Sequence, residues 1–143
     1  MNNHFLSWFS GFMDGEGYFG IVPNGKGFMA QASIKLRNDD VGILNRIYKD
    51  TGIGKVYNNI PSQNYATKGG EVHGQSKWQV CDIEGCVKLI EIFDNYPLIG
   101  KKAKIYKLWR EAVLYMNENG TKRNAKLDDL YSKMSYVRKY STK

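Results

Sequence analysis

Apolar positions first recur at helical spacing. Phe5, Trp8, Phe9, Phe12 and Met13 follow the i, i+3, i+4 rhythm of an amphipathic helix. Ser7, Gly11 and Gly15 lie four apart and share one stripe of that helix. A stripe of small side chains lets a second helix backbone approach closely, by the same steric logic that operates in membranes. Two glycines inside a helix cost about 1 kcal/mol each relative to alanine, so the stripe reads as a packing seam. Gly17 is expected to stop the helix in a left-handed conformation.

The period then changes to two. Tyr18 to Val22 reads as a strand, Asn24-Gly25-Lys26-Gly27 as a hairpin turn, and residues 28–37 as a second strand. Phe28, Ala30, Ala32, Ile34 and Leu36 alternate with Met29, Gln31, Ser33, Lys35 and Arg37. One face of the sheet is therefore apolar and takes helices. The other is polar and basic and stays open. Asp39 or Asp40 is expected to cap a helix running to about Asp50 through Val41, Leu44, Ile47 and Tyr48, with Gly52 and Gly54 ending it. Lys55 to Ile60 and Lys77 to Asp82 read as two more strands. On these, Lys55, Tyr57 and Asn59 share a face, as do Lys77 and Gln79. Asp82 caps the next helix, through Cys86, Leu89, Ile90 and Phe93, and Pro97 stops it. A helix over roughly Lys101 to Met116 is expected to bury Ile99, Ala103, Tyr106, Trp109, Val113 and Met116. Leu127, Leu130, Tyr131, Met134 and Val137 mark a last one. The order α-β-β-α-β-β-α-α-α, with antiparallel strands and helices on one face, predicts an α+β fold in one domain over residues 1–143.

Composition narrows the class. The 143 residues are 42% hydrophobic and 24% charged, as in a globular chain with one modest core. No apolar run approaches the ~18 residues of a membrane span, and the start lacks a secretory signal. Cys81 and Cys86 form no CxxC pair and, with His4 and His73 distant, no zinc pattern. They read as reduced, structural thiols of an intracellular protein, either in an organelle or in a bacterial or phage cytoplasm. The net charge is +7 and is unevenly spread. From Leu98 onward there are 12 Lys/Arg against 4 Asp/Glu, whereas residues 1–97 carry 9 against 10. A basic C-terminal third points to a polyanionic partner, most commonly nucleic acid, or else to a solvated basic surface.

The segment Phe9-Ser10-Gly11-Phe12-Met13-Asp14-Gly15-Glu16-Gly17 resembles the nine-residue signature of the LAGLIDADG homing endonucleases. Gly11, Asp14 and Gly17 match outright. Phe9, Phe12 and Met13 remain apolar, Ser10 and Gly15 remain small, and Glu16 keeps the acid. Tyr96-Pro97-Leu98-Ile99-Gly100-Lys101-Lys102 resembles a late motif of the same family. The resemblance implies a curved antiparallel sheet with an α-β-β-α-β-β-α core, in which two signature helices pack at a twofold axis. It also implies that Glu16 binds a divalent metal, Mg²⁺ with Mn²⁺ as a substitute. Lys102, or its neighbour Lys101, would lie near the scissile phosphate, and Arg37 near the active site. Asp14 is either a structural acid at the helix end or a group supporting Glu16. With one signature per chain, the implied enzyme is a homodimer joined through Ser7, Gly11 and Gly15.

Elementary physics agrees with the metal role. A carboxylate at a helix C-terminus faces the negative end of the helix dipole, at a cost of roughly 0.3–1 kcal/mol. Two such ends brought together repel, and a hard divalent cation relieves both penalties. The open sheet face is the candidate reader of double-stranded DNA. A ten-residue strand spans about 33 Å, close to the ~34 Å of one DNA turn, and a curved ribbon fits the major groove. Met29, Gln31, Ser33, Lys35, Tyr57, Asn59, Lys77 and Gln79 would face bases. The reading is a site-specific endonuclease making a staggered double-strand break in a long, near-palindromic target. The competing readings are an RNA-binding intron maturase and a DNA-binding regulator that does not cut.

Overall fold

A computed structural model describes residues 2–60 and 74–140 of the chain. In chain order the elements are α1 (Asn3–Glu16), β1 (Gly17–Asn24), β2 (Gly27–Arg37), a 3₁₀ turn (Asn38–Asp40) and α2 (Val41–Thr51). They continue with β3 (Lys55–Ile60), β4 (Gln75–Val80), α3 (Ile83–Asn95), α4 (Lys102–Asn119) and α5 (Ala125–Tyr140). The expected element order holds throughout. The four strands form one antiparallel sheet in the order β1-β2-β4-β3, with helices packed on its apolar face.

The period-two reading of β2 is borne out by burial except at Ser33, which shares the polar face with Gln31 but is itself buried. Phe28, Ala30, Ala32 and Ile34 are in the core, and Lys35 and Arg37 are exposed. On β4, Ser76, Trp78 and Val80 turn inward. Aromatic rings from five elements meet on the apolar side of the sheet. Phe9 lies edge-on to Trp78, and Phe19 contacts Phe93, Tyr106 and Trp109. Each buried indole finds an acceptor, Trp78 Nε1 donating to the Ile53 carbonyl at 2.8 Å and Trp109 Nε1 to that of Gln31 at 3.0 Å.

Helix boundaries follow local chemistry. Asn2 caps α1, its side chain accepting from the His4 amide at 2.8 Å, and Asp82 caps α3 through the Gly85 amide at 2.8 Å. Gly52 closes α2 at φ 66°. Three expectations are corrected. Neither Asp39 nor Asp40 caps α2 with its side chain; Asp39 is taken by the Arg37 guanidinium at 2.5 and 2.9 Å, and Asp40 makes no capping bond. Gly17 is extended, at φ −83° and ψ 168°, because the chain passes straight from α1 into β1. Its glycine is explained by space, since a Cβ there would lie 2.5 Å from the Met13 sulfur. Ile99 is 92% exposed rather than part of the α4 stripe, since it precedes the helix; Ile105 and Ala112 are buried on α4 instead. The side chains of Asn59 and Ile60 and all of residues 61–73 lie outside the described residues.

Both cysteines are free thiols. Cys86 is fully buried, and burial, helped by the nearby Asp82 and Cys81, pushes its thiol up to about 12. An aromatic disulfide reagent at neutral pH should therefore label one thiol per chain, Cys81, and reach Cys86 only as the protein unfolds. Rapid labelling of both thiols in the folded chain would contradict the packing of α3 on β2.

Candidate active site and nucleic-acid interface

Everything in the candidate site is organised around the last turn of α1. Glu16 is exposed there, at the negative end of the helix dipole. The ammonium of Lys102 sits on the same terminus, 3.1 Å from the Gly15 carbonyl and 3.4 Å from that of Asp14. The cation satisfies carbonyls that have no partner within the helix and offsets the field that disfavours a neighbouring carboxylate. Lys101 precedes Lys102 at the N-cap of α4. It joins Tyr18, Phe19, Lys102, Ile105 and Arg138 around a separate cavity of about 260 Å³. Of the two adjacent lysines, Lys102 is the one brought to the end of α1.

Asp14 explains how Lys102 gets there. Its Oδ2 accepts from the backbone amides of Ile99 and Gly100, at 2.9 and 2.6 Å. That ties the turn before α4 to the end of α1. A Cβ on Gly100 would come within 2.9 Å of the Asp14 carboxylate, so the close approach requires glycine. Asp14→Ala should cost about 1–3 kcal/mol by leaving both amides without their acceptor, and should release Lys102 from its seat. Asp14→Asn keeps one acceptor oxygen and should cost less. Urea midpoints of the two variants check this, and equal stability of Asp14→Ala and the natural chain would contradict it.

A second cavity, about 330 Å³, opens where α1 meets the polar face of the sheet. Glu16, Tyr18, Gln31, Ser33, Lys35 and Lys77 line it. Register explains the grouping: Gly17 pairs with Ile34, Tyr18 with Ser33, Ser33 with Gln79 and Lys35 with Lys77. Lys35 and Lys77 are direct cross-strand neighbours. Partial burial, and then the charge of Lys35, lowers the pKa of Lys77 below that of a free lysine. Gln79 Nε2 donates to Gln31 Oε1 at 2.7 Å, tying two of the predicted readers together. Tyr57 lies opposite Lys77 and Lys55 opposite Gln79, so the polar row continues onto β3. Met29 continues it toward the hairpin, opposite Val22. Arg37 is outside the lining of this cavity and binds Asp39. Tyr18 was not among the residues predicted for the site, although a strand aromatic two positions after the acid is a visible signal.

The outer face of α1 carries the small-residue stripe. Ser7, Gly11 and Gly15 are exposed, and a Cβ on either glycine would meet nothing within 4 Å. Trp8, 41% exposed, stacks on Phe12 at 4.9 Å alongside it. Ser7, Ser10, Gly11 and Asp14 line one side of a groove whose other side is Asn95 to Pro97 and Ile99.

Residues 9–113 match the sequence model of a family described as LAGLIDADG endonuclease. A probable intron-encoded endonuclease, Cox1-I1b of Schizosaccharomyces pombe, is 29% identical; the alignment takes in 96% of this chain and 35% of that protein. The chain thus spans about a third of the curated relative it matches. Among solved structures, the LAGLIDADG meganuclease I-AabMI bound to uncleaved DNA superposes with a TM-score of 0.73 at 22% identity, over 91% of this chain and 42% of that one. The archaeal intron-encoded homing endonuclease I-Vdi141I, complexed with DNA, gives 0.74 at 18% identity, over 94% and 84%. At these identities the structures establish the fold.

Proposed function

Because this chain belongs to the LAGLIDADG endonuclease family, we propose that it is a site-specific DNA endonuclease, with Glu16 as the metal-binding acid and Lys102 as the cation beside the scissile phosphate. The observation that carries the reading is the joint presentation of that carboxylate and that ammonium on one helix terminus, at the border of a polar sheet face. The names of the relatives agree: one is a probable intron-encoded endonuclease, and two of the superposable proteins were solved with DNA.

The proposed metal is Mg²⁺, with Mn²⁺ as a substitute. Among the described residues, one chain gathers no group of three or more His, Cys, Asp or Glu able to hold a metal. A single exposed carboxylate per unit suits a hard ion that keeps waters and phosphate oxygens in its shell. Bound there, such an ion supplies an activated water and neutralises charge on the leaving oxygen. The chain's own part is electrostatic. Lys102 fixes positive charge at the helix end, and Lys35 and Lys77 add two cations to the lining of the Glu16 cavity, where they would attract a phosphate.

Double-stranded DNA would lie along the open sheet face, with Met29, Gln31, Ser33, Lys35, Tyr57, Lys77 and Gln79 toward its bases. A second copy of the same unit would pack on the Ser7-Gly11-Gly15 stripe, placing the two Glu16 carboxylates near one axis. Among the described residues no helix is long and apolar enough to cross a membrane.

The test is selection by cleavage. Duplex DNA carrying a randomised stretch of about two turns is incubated with the protein, and cut ends are recovered and sequenced over several rounds. The expected result is a nearly palindromic family of sites with a short stagger at the centre, obtained with Mg²⁺ or Mn²⁺ and absent in chelator. Cutting without sequence preference, or no cutting under either condition, would overturn the proposal.

A further inference from the structure

We propose that Tyr18 is a base-reading residue: its phenol hydroxyl takes the side-chain slot that Gly20 leaves empty, and Arg138 holds its ring there. The inference rests on the reading of the open sheet face as the DNA-contacting surface.

Tyr18, Gly20 and Val22 on β1 stand opposite Ser33, Gln31 and Met29 on β2, so all six share the polar face. On β2 each of these positions carries a side chain. On β1 the position opposite Gln31 is glycine. A Cβ built on Gly20 would lie 2.3 Å from the Tyr18 hydroxyl oxygen and 2.7 Å from two of its ring carbons. The ring therefore lies along the strand with its hydroxyl over residue 20, in the row of Gln31. Gln31 is itself bonded to Gln79. The row thus offers two amides and a phenol hydroxyl, groups that both donate and accept as base edges in the major groove do.

The ring does not lie there by default. It is 37% exposed, and an exposed tyrosine is ordinarily free to change rotamer. Arg138, near the end of α5, restrains it from the strand edge. Its guanidinium donates to the carbonyl oxygen of Phe19, and its Cζ lies 4.8 Å from the centre of the Tyr18 ring. The first contact anchors the arginine to β1, an edge strand of the sheet. The second attracts the ring face to a cation. The brace comes from a helix beyond residues 9–113, the segment that matches the family model. Tyr18 also lines both the Glu16 cavity and the cavity of Lys101, Lys102 and Arg138. The base pair it reads would thus lie on the cleavage-proximal side of each half-site, far from the hairpin tip at Gly25.

The experiment selects bound duplexes from a randomised pool in Ca²⁺, so that binding is scored without cutting. The natural chain is compared with Tyr18→Phe, Gly20→Ala, Arg138→Met and Gln31→Ala. Tyr18→Phe removes one hydroxyl and leaves the ring. It should lower the preference at one base pair per half-site by about fivefold, the worth of a single hydrogen bond, with the other positions unchanged. Gly20→Ala displaces the ring, and Arg138→Met keeps the length of the brace without its charge; both should relax that same pair. A general loss of stability would weaken binding to all sequences alike and leave the profile unmoved. If Gln31→Ala alters the profile and Tyr18→Phe does not, the inference fails while the sheet reading stands. If no variant moves any position, Gln31→Ala included, the sheet reading fails and takes the inference with it. Should Gly20→Ala fail to fold, Tyr18→Phe decides.

Discussion

Glu16→Gln should bind DNA as tightly as the natural chain and cut it about a hundredfold to a thousandfold more slowly, the scale seen when one critical polar group is lost from a preorganised site. Glutamine keeps the length and one carbonyl oxygen of the acid but loses the charge that a hard divalent ion requires. The change should not disturb the fold, because Glu16 is exposed at the last position of α1. Its neighbours on the helix end are held independently. Lys102 is seated on the carbonyls of Asp14 and Gly15, and Asp14 on the amides of Ile99 and Gly100. Affinity should hold or rise slightly, because a carboxylate beside the DNA backbone is removed. Cleavage is read as single-turnover conversion of a pre-bound duplex in Mg²⁺, binding as titration in Ca²⁺. Near-natural cutting by Glu16→Gln would remove the acid from the mechanism. Equal loss of binding and cutting would mean that Glu16 shapes the surface instead.

Lys102→Met separates the second charged group from the first. The variant should also cut slowly. It should be less stable as well, because the carbonyls at the end of α1 lose their cation. Glu16→Gln should show no such stability change.

How far this site could be read from sequence depended on the distance between the residues that define it. Within α1 and β2 the signal is local. The spacing of Phe5, Phe9 and Met13 and the alternation from Phe28 to Ile34 fix which face is buried, and both agree with the fold. Lys101 and Lys102 could not be separated in this way, because adjacent positions at a helix start differ by about 100° of rotation. Only the Asp14 clamp on residues 99 and 100 decides which one faces α1. The same clamp lifts Ile99 out of the helical stripe that its spacing to Ala103 suggested. Arg37, the basic group expected near the acid, does not line the Glu16 cavity, and strand register is the reason. Gly17 pairs with Ile34, so Lys35, and not the end of the strand, comes beside Glu16. The Asp39 cap was misread because Arg37, two residues earlier, competes for the carboxylate with a charged two-point contact. Tyr18 needed three distant facts together: a glycine two residues on, the row of Gln31, and an arginine 119 residues beyond Phe19.

Gly11→Leu should raise the stability of a single folded chain and abolish its pairing with a second. The two effects have opposite signs because the residue faces outward. Within one chain an added Cβ meets nothing within 4 Å, and replacing an interior helical glycine with leucine gains about 0.8–1 kcal/mol of helix propensity. Across the proposed axis the same side chain would sit between two α1 helices. Their Ser7-Gly11-Gly15 stripes are shaped for close backbone approach. Forcing a leucine into such a contact costs typically 1–3 kcal/mol per site, and a twofold interface carries the change twice. The dissociation constant of the pair should then rise by roughly two to four orders of magnitude. Sedimentation at micromolar concentration should show a paired natural chain and a monomeric variant, and thermal melting of the variant at dilution should show no loss. Cleavage should fall with assembly, since on the proposed mechanism one chain supplies one Glu16 and each strand of the duplex needs its own. A natural chain that is monomeric at that concentration and still makes double-strand breaks would sink the pairing, and so would a Gly11→Leu chain that stays paired.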